Sequence, residues 1–254
     1  MRYGDGLFET LRIHNGEILF QQDHLDRMLR GMKALKMSIP PDFTEFFFHK
    51  QVLELALKEK IEGNARIRIG IYRSGEGQYE PVENTPEYYI EITPMEKAFE
   101  WNEESCRLIV FEEVRKNFSP VSFFKSTNAL PCILAAIFRA ENNAGDCLLL
   151  NNEGNIADAI SSNLFWIRHG KVYAPPVTDG GVDGIMRRQM IRILLKNNFD
   201  FAEKSCTPSN LKLADEVFLT NVGWGIKPVT NFETARYSSY ITREIFSLLQ
   251  NELT

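Results

Sequence analysis

The stretch VSFFKSTNALPCILAAIFRA, residues 121–140, places one lysine between a short apolar segment and a helix. Behind it, apolar side chains recur at the spacing of one helical face: Leu130, Ile133, Leu134, Ile137 and Phe138. Asn128 is a suitable N-cap for this helix, and Pro131 is tolerated in its first turn. The preceding residues 121–124 predict a short strand. An ammonium group on Lys125 needs a partner there or loses its proton, and the neutral amine is a nucleophile.

The overall composition is that of a globular protein and excludes several classes of function. The chain has 254 residues, 44% hydrophobic and 25% charged, enough for one large domain or two modest ones. Its net charge of -5 argues against a nucleic-acid-binding surface. The 4 cysteines form no CxxC pair, so zinc and disulfides are not predicted. No signal peptide or membrane span is recognised, and we predict a cytoplasmic protein that contacts neither membrane nor nucleic acid.

The first part of the chain, residues 1–95, predicts a small α+β domain. Asn15-Gly16 between two apolar segments indicates a β-hairpin. Two helices are predicted next, over 24–37 and 43–60. Alternating polar and apolar residues over 64–73 then predict a half-buried strand, with residues 87–95 as its partner.

The rest of the chain predicts a larger domain. Residues 96–118 are predicted to form the interdomain linker and a first strand, and residues 119–254 the larger domain. Several short strands are predicted over 146–176, followed by a helix from about 183 and a last helix near the C-terminus. Strands and helices mix without a regular βαβ rhythm, which argues against Rossmann and TIM architectures.

Four features besides Lys125 are candidates for a functional site. For each of them, the residues alone are compatible with two roles. Arg27 is either a solvated charge on a helix face or part of a site. Asp158 is either a surface charge on a hairpin or a buried carboxylate with a cationic partner. Asp183-Gly184 is either an ordinary cap or an anion site at a helix N-terminus. Thr220-Asn221 either forms a turn or offers hydrogen bonds to an anion.

Taken together, these features meet the needs of pyridoxal 5′-phosphate, which requires a Schiff-base lysine, a carboxylate for its ring nitrogen and a phosphate cradle. The sequence resembles the class IV aminotransferase family, pyridoxal-phosphate enzymes of fold type IV that include branched-chain aminotransferases, D-amino-acid aminotransferases and 4-amino-4-deoxychorismate lyases. Matching blocks run in order along the chain: YGDGLFETLRI (3–13), HLDR (24–27), FKSTNAL (124–130), EGNIADAISSNLFWIRHGKVYAPP (153–176), GIMR (184–187) and LTNVGWGIKPV (219–229).

The resemblance implies an α+β fold like that of D-amino-acid aminotransferases, with two α/β domains and the cofactor between them. It also implies a homodimer. Lys125 would form the Schiff base with pyridoxal phosphate. The expected phosphate ligands are Arg27, the N–H groups of Ile185 and Met186, and the turn at Asn221 and Val222.

Two positions depart from the family pattern. Asp158 stands where the family usually has glutamate opposite the ring nitrogen, and aspartate is shorter by one methylene, roughly 1.5 Å of bond length. The family also has a strand ahead of the first block, whereas this chain begins at Met1-Arg2, so Tyr3 and Asp5 are expected to be less well supported.

Within the family, three features favour a lyase. Thr10 occupies a position where many branched-chain aminotransferases have glycine and where the lyases carry threonine. The block at 181–195, GVDGIMRRQMIRILL, and Asn221 in the last block are also closer to the lyase pattern. We therefore predict a 4-amino-4-deoxychorismate lyase of folate biosynthesis, releasing 4-aminobenzoate and pyruvate. Lys125 would be the general base, and Thr10 would deliver a proton to the leaving group or position it.

A substrate with two carboxylates needs cationic partners, and Arg73 and Arg68 are the predicted ones. The alternative is a class IV aminotransferase acting on branched-chain or D-amino acids, with Trp224 and Tyr72 lining an apolar pocket. A non-catalytic relative is a third hypothesis, which the presence of Lys125 disfavours.

Overall fold

A computed structural model describes residues 3–96, 99–101 and 104–253 of the chain. The chain divides into two compact units, Met1–Ala98 with Phe124–Asn128, and Phe99–Phe123 with Ala129–Thr254. The predicted linker lies partly outside the described residues, and so does the chain start at Met1-Arg2.

The first unit contains a four-stranded antiparallel sheet, in the order β2-β1-β3-β4, and two helices. Its elements are β1 (Gly6–His14), β2 (Glu17–Ile18), α1 (Gln21–Ala34), α2 (Glu45–Lys58), β3 (Ala65–Arg73) and β4 (Pro86–Pro94). Asn15 and Gly16 both have positive φ and form the tight turn between β1 and β2, which confirms the predicted hairpin.

This sheet has one apolar face and one polar face. The apolar side chains of β1 and β3 are at most 4% exposed: Leu7, Leu11, Ile13, Ile67, Ile69 and Ile71. Helix α1 packs closely on this face, because a Cβ atom on Gly31 would lie 2.9 Å from Leu7 and 3.0 Å from Phe124. Successive side chains of a strand point to opposite faces, so the residues between the buried ones form a second, polar face.

The second unit contains two mixed sheets of five strands each, in the orders β10-β9-β8-β11-β12 and β14-β13-β5-β6-β7. The strands are β5 (Arg107–Phe111), β6 (Asp146–Leu150), β7 (Ile156–Ala159), β8 (Asn163–Arg168), β9 (Lys171–Ala174), β10 (Phe201–Glu203), β11 (Glu216–Asn221), β12 (Gly225–Val229), β13 (Asn231–Phe232) and β14 (Ala235–Arg236). The helices are α3 (Leu130–Glu141), α4 (Ile185–Lys196), α5 (Pro208–Leu211) and α6 (Tyr240–Glu252), with a 3₁₀ turn at Val177–Asp179.

The segment before Lys125 differs from its prediction. Residues 121–124 form a turn and bends instead of a strand, because Ser122 folds back on Ser119 through two hydrogen bonds to its carbonyl, 2.9 Å from the hydroxyl and 3.0 Å from the N–H. Helix α3 has Ala129 as its N-cap, so the prediction that Asn128 caps it is wrong by one residue.

The apolar stripe of α3 lies on the exposed side of the helix. Four of its side chains are between 42% and 65% exposed: Leu130, Ile133, Leu134 and Ile137. The helix packs on the core of the second unit through Ala135, Cys132 and Phe138 instead. The periodicity therefore located the helix, but this face has no covering element within the described residues of the chain.

The cysteines are free thiols. Burial raises the pKa of Cys147 and of Cys206 to about 12, so both thiols are protonated at neutral pH and are poor nucleophiles. Among the described residues there is no cluster of three or more side chains suited to a metal ion. No helix in the same ranges is long and apolar enough to cross a membrane.

Candidate active site

Lys125 lies in a segment that is hydrogen-bonded along the beginning of β1. The N–H of Phe8 donates to the carbonyl of Lys125 over 2.8 Å, and the N–H of Thr127 donates to Gly6 over 3.0 Å. These bonds explain why the short segment belongs to the first unit, whereas the sequence-based division placed it in the larger domain at 119–254.

Three of the predicted site residues come together on the polar face of the first unit. The Lys125 ammonium lies 5.3 Å from the ring centroid of Phe8, and the guanidinium carbon of Arg68 lies 3.8 Å from the same ring. Thr10 is the direct cross-strand partner of Arg68 and is two residues from Phe8 on β1, so its side chain is on the same face. Lys125, Thr10 and Arg68 thus share one surface.

This face carries more positive charge than the sequence analysis recognised. Arg12 of β1 and Arg66 of β3 are cross-strand partners on the same side as Thr10 and Arg68. Burial lowers the pKa of Arg12, but an arginine stays charged at neutral pH. Among the described residues, the polar contacts of Arg68 are long, 3.4 Å to the hydroxyl of Tyr89 and 4.0 Å to the carboxylate of Glu91. The alternation along β1 was the signal that would have identified Arg12.

Arg73 has a structural role that does not fit its predicted contact with a substrate carboxylate. Its Nε and Nη2 atoms donate to the carboxylate of Asp5 over 2.7 and 3.3 Å. Nη1 donates to Asn84 and Nη2 also donates to the carbonyl of Leu35, each over 2.6 Å. All three nitrogens are therefore engaged inside the first unit, and Asp5 is well supported, contrary to expectation.

Arg27 is buried on the apolar side of the first unit and is not a solvated helix charge. It is 2% exposed and makes a two-pronged ion pair with Glu9, 2.8 Å from Nε to Oε1 and 2.5 Å from Nη2 to Oε2. His24 Nδ1 lies 2.7 Å from the same carboxylate. Glu9 was not among the predicted site residues, although a glutamate at a core position of an amphipathic strand is itself unusual.

The protonation states of this buried cluster follow from burial and from the charges of its members. Burial acts to raise the pKa of Glu9, but the charge of Arg27 and the hydrogen bonds from its two partners outweigh it, and the pKa falls to about 2. Burial also lowers the pKa of His24, more than Glu9 raises it. The cluster at neutral pH is therefore one carboxylate, one guanidinium and a neutral imidazole.

In the second unit, Asp158 is a buried carboxylate with a cationic partner, which decides between the two readings of the sequence. It is 4% exposed, and Lys116 Nζ lies 2.8 Å from Oδ2. The N–H of Val182 donates to Oδ2 and the side-chain amide of Asn163 donates to Oδ1, each over 2.9 Å. Neither Lys116 nor Asn163 was among the predicted site residues; they lie 42 and 5 residues away from Asp158 along the chain.

Ile185 and Met186 are the first two residues of α4, as predicted, and Gly184 is the N-cap. A Cβ atom on Gly184 would lie 1.9 Å from Oδ1 of Asn163, so a larger residue has no room there. The amide of Asn163 also donates to the carbonyl of Val182 over 2.8 Å. The helix start, where N–H groups lack partners inside the helix, is thus tied to the residues around Asp158.

At the turn between β11 and β12, the side chain of Asn221 shapes the backbone. Its Oδ1 accepts the N–H of Gly223 over 2.7 Å, and its amide donates to the carbonyl of Ser161. The side chain of Asn221 is therefore engaged in the turn, which leaves the backbone N–H groups of Asn221 and Val222 for the predicted phosphate contact. The neighbouring Thr220 is 1% exposed.

A comparison with known sequences decides the family. The sequence model described as amino-transferase class IV matches residues 6–232, most of the chain. This chain is a class IV aminotransferase family member. The family membership makes it a pyridoxal-phosphate-dependent enzyme, and its α+β structure is the fold of that family.

The similar proteins carry three different activities. The chain is 24% identical to a D-alanine aminotransferase of Bacillus licheniformis, over 99% of this chain and 89% of that protein. It is 27% identical to an aminodeoxychorismate lyase of Vibrio harveyi, over 90% and 83% of the two chains. A crystal structure of a branched-chain aminotransferase from Thermoproteus uzoniensis with norvaline has a TM-score of 0.89 at 26% identity, covering 98% and 86%. The family therefore sets the cofactor chemistry and leaves the substrate open.

The described residues of this class IV chain fit pyridoxal phosphate. A carboxylate has about four acceptor positions, and Asp158 uses three of them, so one N–H from a pyridinium can still be accepted. The start of α4 offers backbone N–H groups to a phosphate behind a glycine that cannot be replaced without a clash. In the first unit, Lys125 would supply the amine for the aldehyde.

Proposed function

We propose that the chain is a 4-amino-4-deoxychorismate lyase that releases 4-aminobenzoate and pyruvate. The observation that supports this most directly is the basic face around Thr10, where Arg68 is the cross-strand partner and Arg12 and Arg66 follow. A substrate with two carboxylates needs more than one cation, and arginine binds carboxylates with paired hydrogen bonds. Alanine and the branched-chain amino acids each present a single carboxylate.

Lys125, Thr10 and Arg68 each have a definite role in the proposed reaction. The bound cofactor supplies an aldehyde for Schiff-base formation and an electron-withdrawing ring. Lys125, once its amine is free, removes the proton from the substrate carbon that bears the nitrogen. The hydroxyl of Thr10 donates a hydrogen bond to the oxygen of the departing enol-pyruvate. Arg68, whose guanidinium is supported by the ring of Phe8, holds one carboxylate.

The test is the release of pyruvate and 4-aminobenzoate when the cofactor-loaded protein meets 4-amino-4-deoxychorismate. Thr10→Val keeps the shape of the side chain and removes its hydroxyl, and we expect kcat to fall by roughly 10²–10⁴-fold, the contribution of one positioned proton donor. Thr10→Ser keeps the hydroxyl and should stay within about tenfold of the wild type.

The same assay separates the lyase from the alternative activity. Similarity to a D-alanine aminotransferase over nearly the whole chain supports a transaminase acting on D- or branched-chain amino acids. If the wild-type protein releases no pyruvate but passes an amino group from such donors to a keto acid, the transaminase is the main activity. Equal rates for Thr10→Val and the wild type in pyruvate release would remove Thr10 from the mechanism.

We also propose that the chain acts as a homodimer and that the exposed face of α3 is part of the contact. Leu130, Ile133, Leu134 and Ile137 follow the spacing i, i+3, i+4 and i+7 and form one apolar stripe. Contiguous exposed apolar surface of this kind marks protein–protein contacts. A second copy of the chain is the occupant that the family resemblance implies.

The double variant Ile133→Glu/Ile137→Glu is expected to shift the protein from dimer to monomer, because a charge in the centre of an apolar contact loses its water without gaining a partner. Light scattering after gel filtration at micromolar concentration measures the mass. Leu57→Glu, at an apolar position on α2 that is even more exposed, is the control and should leave the dimer intact. A monomeric wild-type protein, or a dimer unaffected by the double variant, would contradict the proposal.

A further inference from the structure

Lys116 places a cation on the carboxylate that is assigned to the cofactor's ring nitrogen. Its Nζ lies 2.8 Å from Oδ2 of Asp158, and the two side chains are 16% and 5% exposed. Both residues belong to the second unit. An ion pair shielded to this degree is only weakly screened by solvent, so its charges act strongly on a neighbour.

The other described hydrogen-bond donors to Asp158 carry no charge. Asn163 on β8 and the N–H of Val182 before α4 are neutral donors to Asp158. The remaining titratable group acting on Lys116 is the thiol of Cys132 on α3. Burial acts to lower the pKa of Lys116, but the attraction of Asp158 outweighs it and the pKa is raised, so the lysine is an ammonium at neutral pH.

The hydrogen bonds divide the carboxylate into two unequal halves. Oδ2 already accepts Lys116 and the N–H of Val182, while Oδ1 accepts only the amide of Asn163. Each carboxylate oxygen accepts about two hydrogen bonds, so the free position is on Oδ1. Lys116 therefore leaves Oδ1 as the oxygen for a further donor. Lys116 and that donor then share the negative charge of Asp158.

We propose that Lys116 is a positioning residue that fixes Asp158 and lowers the proton affinity of the cofactor's ring nitrogen. This role of Lys116 depends on the proposed position of Asp158 opposite that nitrogen. The Lys116 ammonium and a protonated ring nitrogen would be two cations next to the same carboxylate. Their repulsion disfavours protonation of the ring. A less protonated ring is a weaker electron acceptor than a ring whose carboxylate partner has no second cation.

The proposal is tested by titrating the ring nitrogen directly. Protein loaded with pyridoxal phosphate carrying ¹⁵N in the ring is followed by NMR over pH, since the ¹⁵N chemical shift reports ring protonation. Lys116→Gln keeps a hydrogen-bond donor and removes the charge, and we expect the titration midpoint to rise by about one pH unit. Lys116→Met should raise it as well, and Lys116→Arg should leave it at the wild-type value.

Lys171→Met is the matched control, because Lys171 makes an ion pair of the same length, 2.8 Å, with Asp200 elsewhere in the second unit. An unchanged midpoint in Lys116→Gln, or an equal rise in Lys171→Met, overturns the proposal. Because Lys116→Gln replaces the buried ammonium by an amide, the titration remains decisive if Lys116→Met does not fold. Pyruvate release by the wild-type protein is measured separately, so the lyase assignment can fail while the difference in ring protonation persists.

Discussion

Replacing Lys125 by alanine is expected to lower the rate of pyruvate release by at least about 10⁴-fold, because the covalent anchor and the general base are lost together. The backbone of residue 125 keeps its hydrogen bond with Phe8, so the first unit should still fold. Steady-state assays at saturating substrate measure the rate. Borohydride reduction of the loaded protein, followed by peptide mass analysis, shows which lysine carries the cofactor.

Lys50→Ala is the control for this prediction, since Lys50 lies on α2 with a side chain that is 59% exposed. It should leave both the rate and the labelled peptide unchanged. Cofactor label on a peptide other than the one containing Lys125 would show that the Schiff-base assignment is wrong.

Replacing Arg27 by methionine is expected to lower the free energy of unfolding by about 3–5 kcal/mol. The change leaves Glu9, which is 1% exposed, as a buried carboxylate without its cation, and breaking one side of a buried ion pair costs this much. Urea denaturation of the wild type and the variant at neutral pH measures the difference. The loss should appear without cofactor as well as with it, which distinguishes it from loss of a phosphate contact.

The pH dependence of this difference has a definite sign. The pKa of Glu9 in the folded protein is about 2, below its ordinary value of 4.5, so the pair stabilises the fold above pH 4.5. That stabilisation is lost as the pH falls from 4.5 toward 2. The gap between the wild type and Arg27→Met should therefore narrow over this range.

Two variants serve as controls for Arg27→Met. Arg27→Met/Glu9→Gln removes both charges and should recover part of the lost stability, since no buried ion remains. Lys196→Met breaks an exposed pair with Glu252 and should change the free energy by less than about 1 kcal/mol. A loss of stability for Lys196→Met as large as that for Arg27→Met would contradict the role of burial.

The sequence predicted those features of the fold that depend on neighbouring residues. The turn at Asn15-Gly16 follows from two residues that tolerate positive φ, and the strand at β3 follows from the alternation of Ile67, Ile69 and Ile71. The blocks shared with the family predicted the cofactor, because several short motifs in a fixed order are specific.

Features that depend on distant partners could not be predicted in this way. Lys116 and Asp158 are 42 residues apart, and nothing in either local sequence indicates the pair. In the sequence, Arg27 resembles a surface residue of α1, because its partner Glu9 lies 18 residues away along the chain. The apolar stripe of α3 has the periodicity of a buried face, yet burial depends on what lies opposite, which periodicity does not encode.

The hydrogen bonds around Asn163 have a consequence for how this enzyme can vary. The side-chain amide of Asn163 donates to both Asp158 and Val182, and its Oδ1 atom occupies the space beside Gly184. A longer acid at position 158 would push against this arrangement and move the first turn of α4. Asp158→Glu alone is therefore expected to impair the protein, and a functional variant with glutamate at this position should require compensating changes at its neighbours.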